Sequence, residues 1–556
     1  MNDTVSSAGT TGQFNYAAPE PYYYLWHLVA LGVIQAGPAT GDHGCPTVTG
    51  TAWDAIGAAF PVATTPAVVA MIDVGVSRTH PNLASRIDND RSIDLTSHPY
   101  GAASRPPTGA TPYDAEHKKA FFTGLDIAGL GNLGLDAGQA AYLDGLVAEL
   151  AGSQGVVRTL LDAEETFASH GTAVAGLVVG EPAASAGGTA QVGPAALAAE
   201  LPVAAGASAN RNLIPYFGVD PFSKLISIKT GFESDPEQFI AAFLHAWNCA
   251  SDVILLPRGL PDPVRSVIDP KPELAHDLTG RDGRERADLL ARLALAPTPG
   301  AEVDPNQIAS PASPHVGWTV LEKLIVALSR KIAIVCASGN DGESQLIYPA
   351  WLAADDNGIV AVGSVTPRGY RSGYANYGEG LTLVAPSDDA EVYNRHQTRI
   401  DRTTPFVAMH HYDPRGGAVV PYSHLQLLTT DLPGSFGYEG GSEPFSSVLP
   451  PAANSGTGGG YYTGFGGTSG AAALVAGVAA LAVRAHRARY STGMDGMALK
   501  ATLVTACNQD AAVWPGTLPL QADPMNADGE PSKGLTYYFG AGLLDAGSAV
   551  DAILQG

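Results

Sequence analysis

The chain is 556 residues long, enough for one large domain with insertions or for several smaller ones. With 31 Lys and Arg against 54 Asp and Glu, its formal net charge is −23, which excludes a general electrostatic attraction to nucleic acid or to an anionic membrane. A hydrophobic share of 45% predicts a folded chain, and 65 glycines and 41 prolines predict that it has many loops.

Residues 1–7 have neither a basic start nor a following apolar run, so no secretory signal is expected and a cytoplasmic setting is predicted. Short apolar runs at 67–72, 225–229, 252–256, 331–337 and 359–364 read as strands. Apolar positions at helical spacing occupy 170–180, 237–250, 318–329 and 469–485. This alternation predicts an α/β fold, a mostly parallel central sheet with helices on both faces. Three stretches interrupt it. Residues 100–165 read as a loop followed by one or two helices with Leu143, Leu146 and Leu150 on one face; 261–317 as Pro-flanked, with a charged helix at 282–295; and 387–460 as an irregular or short-stranded excursion. The longest apolar stretch, 471–483, is too short and Gly-interrupted to span a bilayer, so it reads as a buried helix with no membrane partner. Cys45, Cys249, Cys336 and Cys507 form no C-x-x-C pair, and Cys336 sits inside a strand run as a buried thiol.

Four points carry chemistry. Asp73 closes the first strand before Val74 and Gly75. Alone it reads equally as a turn, but a carboxylate at the carboxyl end of a central strand stands where α/β folds place their sites. His170, behind Ser169, heads a helix of small residues. A lone His is commonly structural, yet a helix N-terminus disfavours imidazolium and so suits a general base. Ser469 follows Gly466, Gly467 and Thr468 at the start of a second small-residue helix, whose first N–H groups suit an oxyanion; the Lys of a phosphate loop is missing. Asn340, after Ala337, Ser338 and Gly339, reads as a turn residue or as a donor to developing negative charge.

Together these segments resemble the subtilisin-like serine proteases, in which Asp, His and Ser follow in that chain order. His80-Pro81-Asn82-Leu83, Tyr348-Pro349-Ala350, the segments 360–363 and 374–378, Ala385-Pro386 and the segment 540–545 are similar to that family as well. The resemblance implies a three-layer subtilisin-like α/β fold. It divides the chain into an N-terminal extension, 1–21, and one peptidase domain, 22–556, with insertions at about 100–165, 261–317 and 387–460. It also implies hydrolysis of a protein or peptide substrate, with Ser469 as nucleophile, His170 as base and then acid, and Asp73 holding the imidazole. Asn340 and the Ser469 N–H would form the oxyanion hole. Pro257, Arg258, Gly259, Ala337, Ser338, Gly339 and Ile347 would bind substrate. No cofactor is required by this chemistry; residues 88–94 lack the Gly and distal Glu of an EF-hand loop and read as a solvated turn, with Ca²⁺, which many relatives bind, as the alternative there.

The chain departs from the family at Val74, where Ser or Thr is usual, at Pro257 and Arg258, which replace a Ser-Leu pair, and at Gly470, which replaces Met. These departures motivate a second expectation, a catalytically weak pseudoprotease that serves as a protein-binding scaffold. Arg258 reads either as a selector of acidic side chains or as a surface cation. Ile347 predicts a shallow pocket, and Asp341 at its rim a basic preference instead. Residues 1–21 leave no room for a folded inhibitory pro-domain, so a regulatory protein partner or an inserted segment acting as a lid is expected.

Overall fold

The computed structural model describes residues 25–39, 46–59, 65–97, 118–152, 155–160, 168–182, 216–231, 235–260, 316–342, 344–367, 369–388, 406–407, 411–412, 426–434, 436–438, 460–513, 519–520 and 533–556. Its centre is an eleven-stranded sheet in the order Cys507–Asn508, Leu543–Leu544, Leu383–Pro386, Ile359–Val365, Ala333–Ala337, Val253–Leu256, Val68–Asp73, Lys224–Lys229, Ile93–Asp94, Val156–Thr159, Lys118–Ala120. From Leu543–Leu544 to Ile93–Asp94 every pairing is parallel, and only the outermost pairings are antiparallel. The central strands are buried nearly end to end because helices cover both faces, which is why they read as unbroken apolar runs rather than alternating ones.

Ala168–Val179 packs against Gly467–Tyr490, which in turn meets Ala546–Gln555. Val316–Ser329 packs against Pro236–Asn248 and Ala137–Ala151. The starts of the helices are set by local chemistry. Asp235 accepts from Glu237 N ahead of a Pro at the first helical position, and Asp136 forms a capping box with Gln139. Leu143, Leu146 and Leu150 form the buried stripe of Ala137–Ala151, as their spacing predicts.

The structure differs from the sequence expectations in two places. Residues 100–165 are more than a loop and a helix, since Lys118–Ala120 and Val156–Thr159 extend the main sheet. The helix expected at 469–485 runs from Gly467 to Tyr490, so it is long and apolar enough to cross a bilayer; it is instead wholly buried across its apolar window. Within 387–460 the structure agrees with the short-stranded expectation, since the short strand Leu427–Thr430 pairs with Tyr462–Phe465 just beyond it. The charged helix expected at 282–295, residues 1–21 and Cys45 lie outside the described residues. Cys336 is fully buried, and burial pushes its thiol far above the ordinary range.

Candidate active site

Three neighbouring strands end on one rim. Asp73 ends Val68–Asp73, Pro257 follows Val253–Leu256, and Ser338 to Asn340 follow Ala333–Ala337. Asp73 is 1% exposed; its Oδ1 accepts from Val74 N at 2.8 Å, and its Oδ2 lies 2.8 Å from His170 Nδ1. The Val74 backbone therefore donates to the carboxylate even though this position lacks a hydroxyl. With Nδ1 turned to Asp73, Nε2 is the ring nitrogen left for a reacting partner. His170 reaches that place because its helix crosses the turn after Asp73 closely. A Cβ at Gly171 would stand 2.0 Å from the Gly75 carbonyl oxygen, so only Gly allows the crossing.

Ser469 is the third residue of Gly467–Tyr490 and is 8% exposed. Its Oγ donates to the Pro257 carbonyl at 2.7 Å rather than to His170. Asn340 Oδ1 accepts from Thr468 N at 2.9 Å and from Thr468 Oγ1 at 2.8 Å, while Thr468 Oγ1 accepts from Gly339 N. These bonds fix the carboxamide with its oxygen on Thr468, so its Nδ2 donors face the Gly467 turn and the cleft. Tyr374 Oη accepts from Gly467 N at 3.0 Å and fixes the same turn from below; burial, and after it the Asp388 carboxylate, push this phenol well above its ordinary pKa. The His-Pro-Asn-Leu segment clamps the hairpin that leads to Ser469. His80 Nδ1 accepts from Asn82 N, its Nε2 therefore donates to the Tyr461 carbonyl, and Tyr462 Oη donates to Asn82 Oδ1.

His170, Asn340 and Ser469 open onto one cleft of about 360 Å³, which Asp388, Gln426, Tyr438, Thr463, Gly464, Phe465, Gly466 and Gly467 also line. The residues expected to bind substrate gather beside it rather than in it. Arg258 Nη2 donates to the Gly231 carbonyl at 3.0 Å, and Ile347 N donates to the Ser338 carbonyl at 3.0 Å. Ile347 fills the space between the two strand ends. Its Cδ1 is 3.0 Å from where a Cβ would stand on Gly259, and its Cγ2 is 2.6 Å from the equivalent point on Gly339. Asp341 N donates to Asn376 Oδ1 at 2.8 Å. Gly470 lies against Leu427, whose Cδ1 would be 2.7 Å from a Cβ there, so a larger residue at 470 needs a smaller neighbour.

In the 88–94 turn, Asp88 pairs with Arg91 at 2.8 Å and Asp94 with Arg158 at 3.0 Å. Among the described residues no three His, Cys, Asp or Glu side chains group as metal ligands. Sequence reasoning missed Asp388, Gln426, Tyr438 and Phe465. Phe465 was traceable through its place just before Gly466, and Asp388 through its place two residues after Pro386; nothing local marks the other two.

Residues 301–542 match the model of the subtilase family. The chain is 36% identical to Subtilisin BL of Lederbergia lenta over 121 residues, which cover 21% of this chain and 42% of that protein. It is 36% identical to Subtilisin Savinase of the same organism over 74 residues, 13% of this chain and 26% of that protein. The chain thus spans less than half the length of these curated relatives. Among solved structures it is similar to a lanthipeptide protease, at 14% identity and a TM-score of 0.45 over 95% of this chain and 94% of that one. An epidermin leader peptide processing serine protease from Staphylococcus aureus is similar at 16% identity and a TM-score of 0.42, over 90% and 78% of the two chains.

Proposed function

We propose that this chain, which belongs to the subtilase family, is a serine endopeptidase that cleaves protein or peptide substrates through an acyl-enzyme on Ser469. The observation that carries the proposal is the 2.8 Å contact of Asp73 Oδ2 with His170 Nδ1, on a His that opens onto the same cleft as Ser469 and Asn340. In this reading Ser469 Oγ leaves the Pro257 carbonyl, gives its proton to His170 Nε2 and attacks the peptide carbonyl carbon. The tetrahedral oxygen takes hydrogen bonds from Asn340 Nδ2 and the Ser469 N–H, and imidazolium, steadied by Asp73, gives its proton to the leaving amine. Water, deprotonated by His170, then releases the acid. Catalytic hydrogen bonds that form only with substrate in place are common, so a Ser hydroxyl resting on a backbone oxygen is compatible with turnover.

The same Ser469–Pro257 bond is what supports a second reading, a pseudoprotease scaffold whose hydroxyl stays on the carbonyl. A fluorophosphonate probe separates the two. We expect covalent labelling of the wild type at Ser469 and none of Ser469→Ala, followed by mass; a wild type that stays unlabelled favours the scaffold. Control by a partner protein or by an inserted segment belongs to the same proposal. It draws support from the Ser169 Oγ donation to the Phe436 carbonyl at 2.7 Å, which ties a segment beyond residue 387 to the residue before His170. Labelling that appears only when cell lysate is added supports partner control.

A further inference from the structure

We propose that Asp388 makes the leaving-group side of the cleft a cation-selecting subsite, so that substrates with Lys or Arg immediately after the scissile bond are preferred. This rests on the reading of Ser469 as nucleophile. The leaving chain departs past the group that protonates it, and the cleft that touches both His170 and Ser469 is the one Asp388 lines.

Asp388 is 3% exposed, yet it reaches this cleft. Its carboxylate lies flat over the chain as it turns into the Ser469 helix. A Cβ at Gly466 would stand 2.1 Å from one carboxylate oxygen and 2.3 Å from the other, so the missing side chain at 466 is what gives the carboxylate its seat. Its orientation is fixed from behind. Tyr374 Oη donates to Asp388 Oδ1 at 2.9 Å, and Ser372 Oγ donates to the Asp388 backbone carbonyl at 2.5 Å.

The other wall is aromatic. Phe465 stands edge-on to His170 with ring centroids 5.6 Å apart, and Tyr438, half exposed, tilts over Phe465 at 6.2 Å. A carboxylate and aromatic faces around one cleft both attract a cation, and neither offers anything to an anion. The net charge of −23 acts in the same direction at longer range. A guanidinium or ammonium suits the subsite; a carboxylate side chain at that place meets like charge.

The test uses the full chain and a peptide library with a randomised acyl side and a fixed first residue on the leaving side. Arg or Lys there is expected to exceed Glu in kcat/KM by roughly tenfold or more in the wild type. Asp388→Asn keeps an acceptor oxygen for Tyr374, and in it the basic and acidic series should converge. A second measurement needs no turnover. Arginine amide, which has no acyl side, should slow fluorophosphonate labelling of Ser469 in the wild type, and glutamate amide should not. A labelled wild type that is indifferent to charge in both measurements overturns the inference, as does an undiminished basic preference in Asp388→Asn. A wild type that never labels overturns the nucleophile reading and this inference with it.

Discussion

On one side of Ser469 the chain comes from the carboxyl ends of sheet strands, residues 257–259 and 338–340. On the other it comes from the hairpin Leu427–Thr430 with Tyr462–Phe465, together with Asp388 and Tyr438. The sheet side is set by the register of parallel strands, such as Leu256 against Cys336, and is closed by Ile347. Among the described residues the hairpin side lines the cleft, carries a carboxylate and two aromatic rings, and is drawn largely from the long interruption of the sequence. The difference teaches where each property resides. Rigid strand ends hold the reacting groups to a fraction of an ångström, while segments that tolerate insertion shape what enters.

The largest effect belongs to the strand-end carboxylate that holds His170, the base facing the cleft. Asp73→Asn is expected to lower turnover by roughly 10⁴-fold, because an amide beside Nδ1 favours the wrong tautomer of His170. It should slow fluorophosphonate labelling in parallel, with folding intact by circular dichroism. A variant within tenfold of wild type would break the assignment of His170 as base. Next comes Asn340→Ala, which removes a donor to the oxyanion and should lower kcat by about 10²–10³-fold with little change in KM. Thr468→Val keeps that carboxamide but removes one of the bonds holding it, so a smaller loss is expected; equal losses would mean that Asn340 acts by holding the turn.

A third substitution tests the closed side. Ile347→Ala should open the space between Gly259 and Gly339 and shift preference before the scissile bond toward larger apolar side chains by roughly tenfold. The Arg-over-Glu preference on the leaving side should not move. If Ile347→Ala altered both preferences, the two sides would be one coupled surface.

Much of the sheet side was legible in the sequence because buried parallel strands write themselves as unbroken apolar runs, and Asp73 and Asn340 sit at the ends of two such runs. Strands of two to four residues, such as Ile93–Asp94 and Val156–Thr159, are too short to show a period, so the width of the sheet was not legible. The Ser469–Pro257 bond joins residues 212 apart in the chain, and the Tyr374–Gly467 bond residues 93 apart; neither has a local signature. Asp388 stands at the start of the stretch 387–460, which reads as an irregular or short-stranded excursion, and only the fold brings it beside Gly466.

The smallest effect is read on stability, under the hairpin side. Trp26 Nε1 donates to the carbonyl of Gln426, which lines the cleft, and the next residue, His27, is fully buried with neither ring nitrogen partnered among the described residues. Burial lowers its pKa from 6.5 to about 3, so it folds neutral. The unfolded chain binds a proton at His27 below pH 6.5 and the folded chain does not. Stability from this group is therefore whole above pH 6.5 and is lost progressively as pH falls toward 3. Between pH 6.5 and 5 the loss amounts to about 2 kcal/mol. His27→Leu removes this loss and two unsatisfied nitrogens. His245, also buried and lowered to about 4, keeps its own share in both proteins. Urea unfolding at pH 7 and pH 5 should show a shallower acid loss in the variant. Parallel losses in the two proteins would mean that His27 finds a partner in solution, and that the helix holding Gln426 is not an acid-sensitive support of the hairpin side.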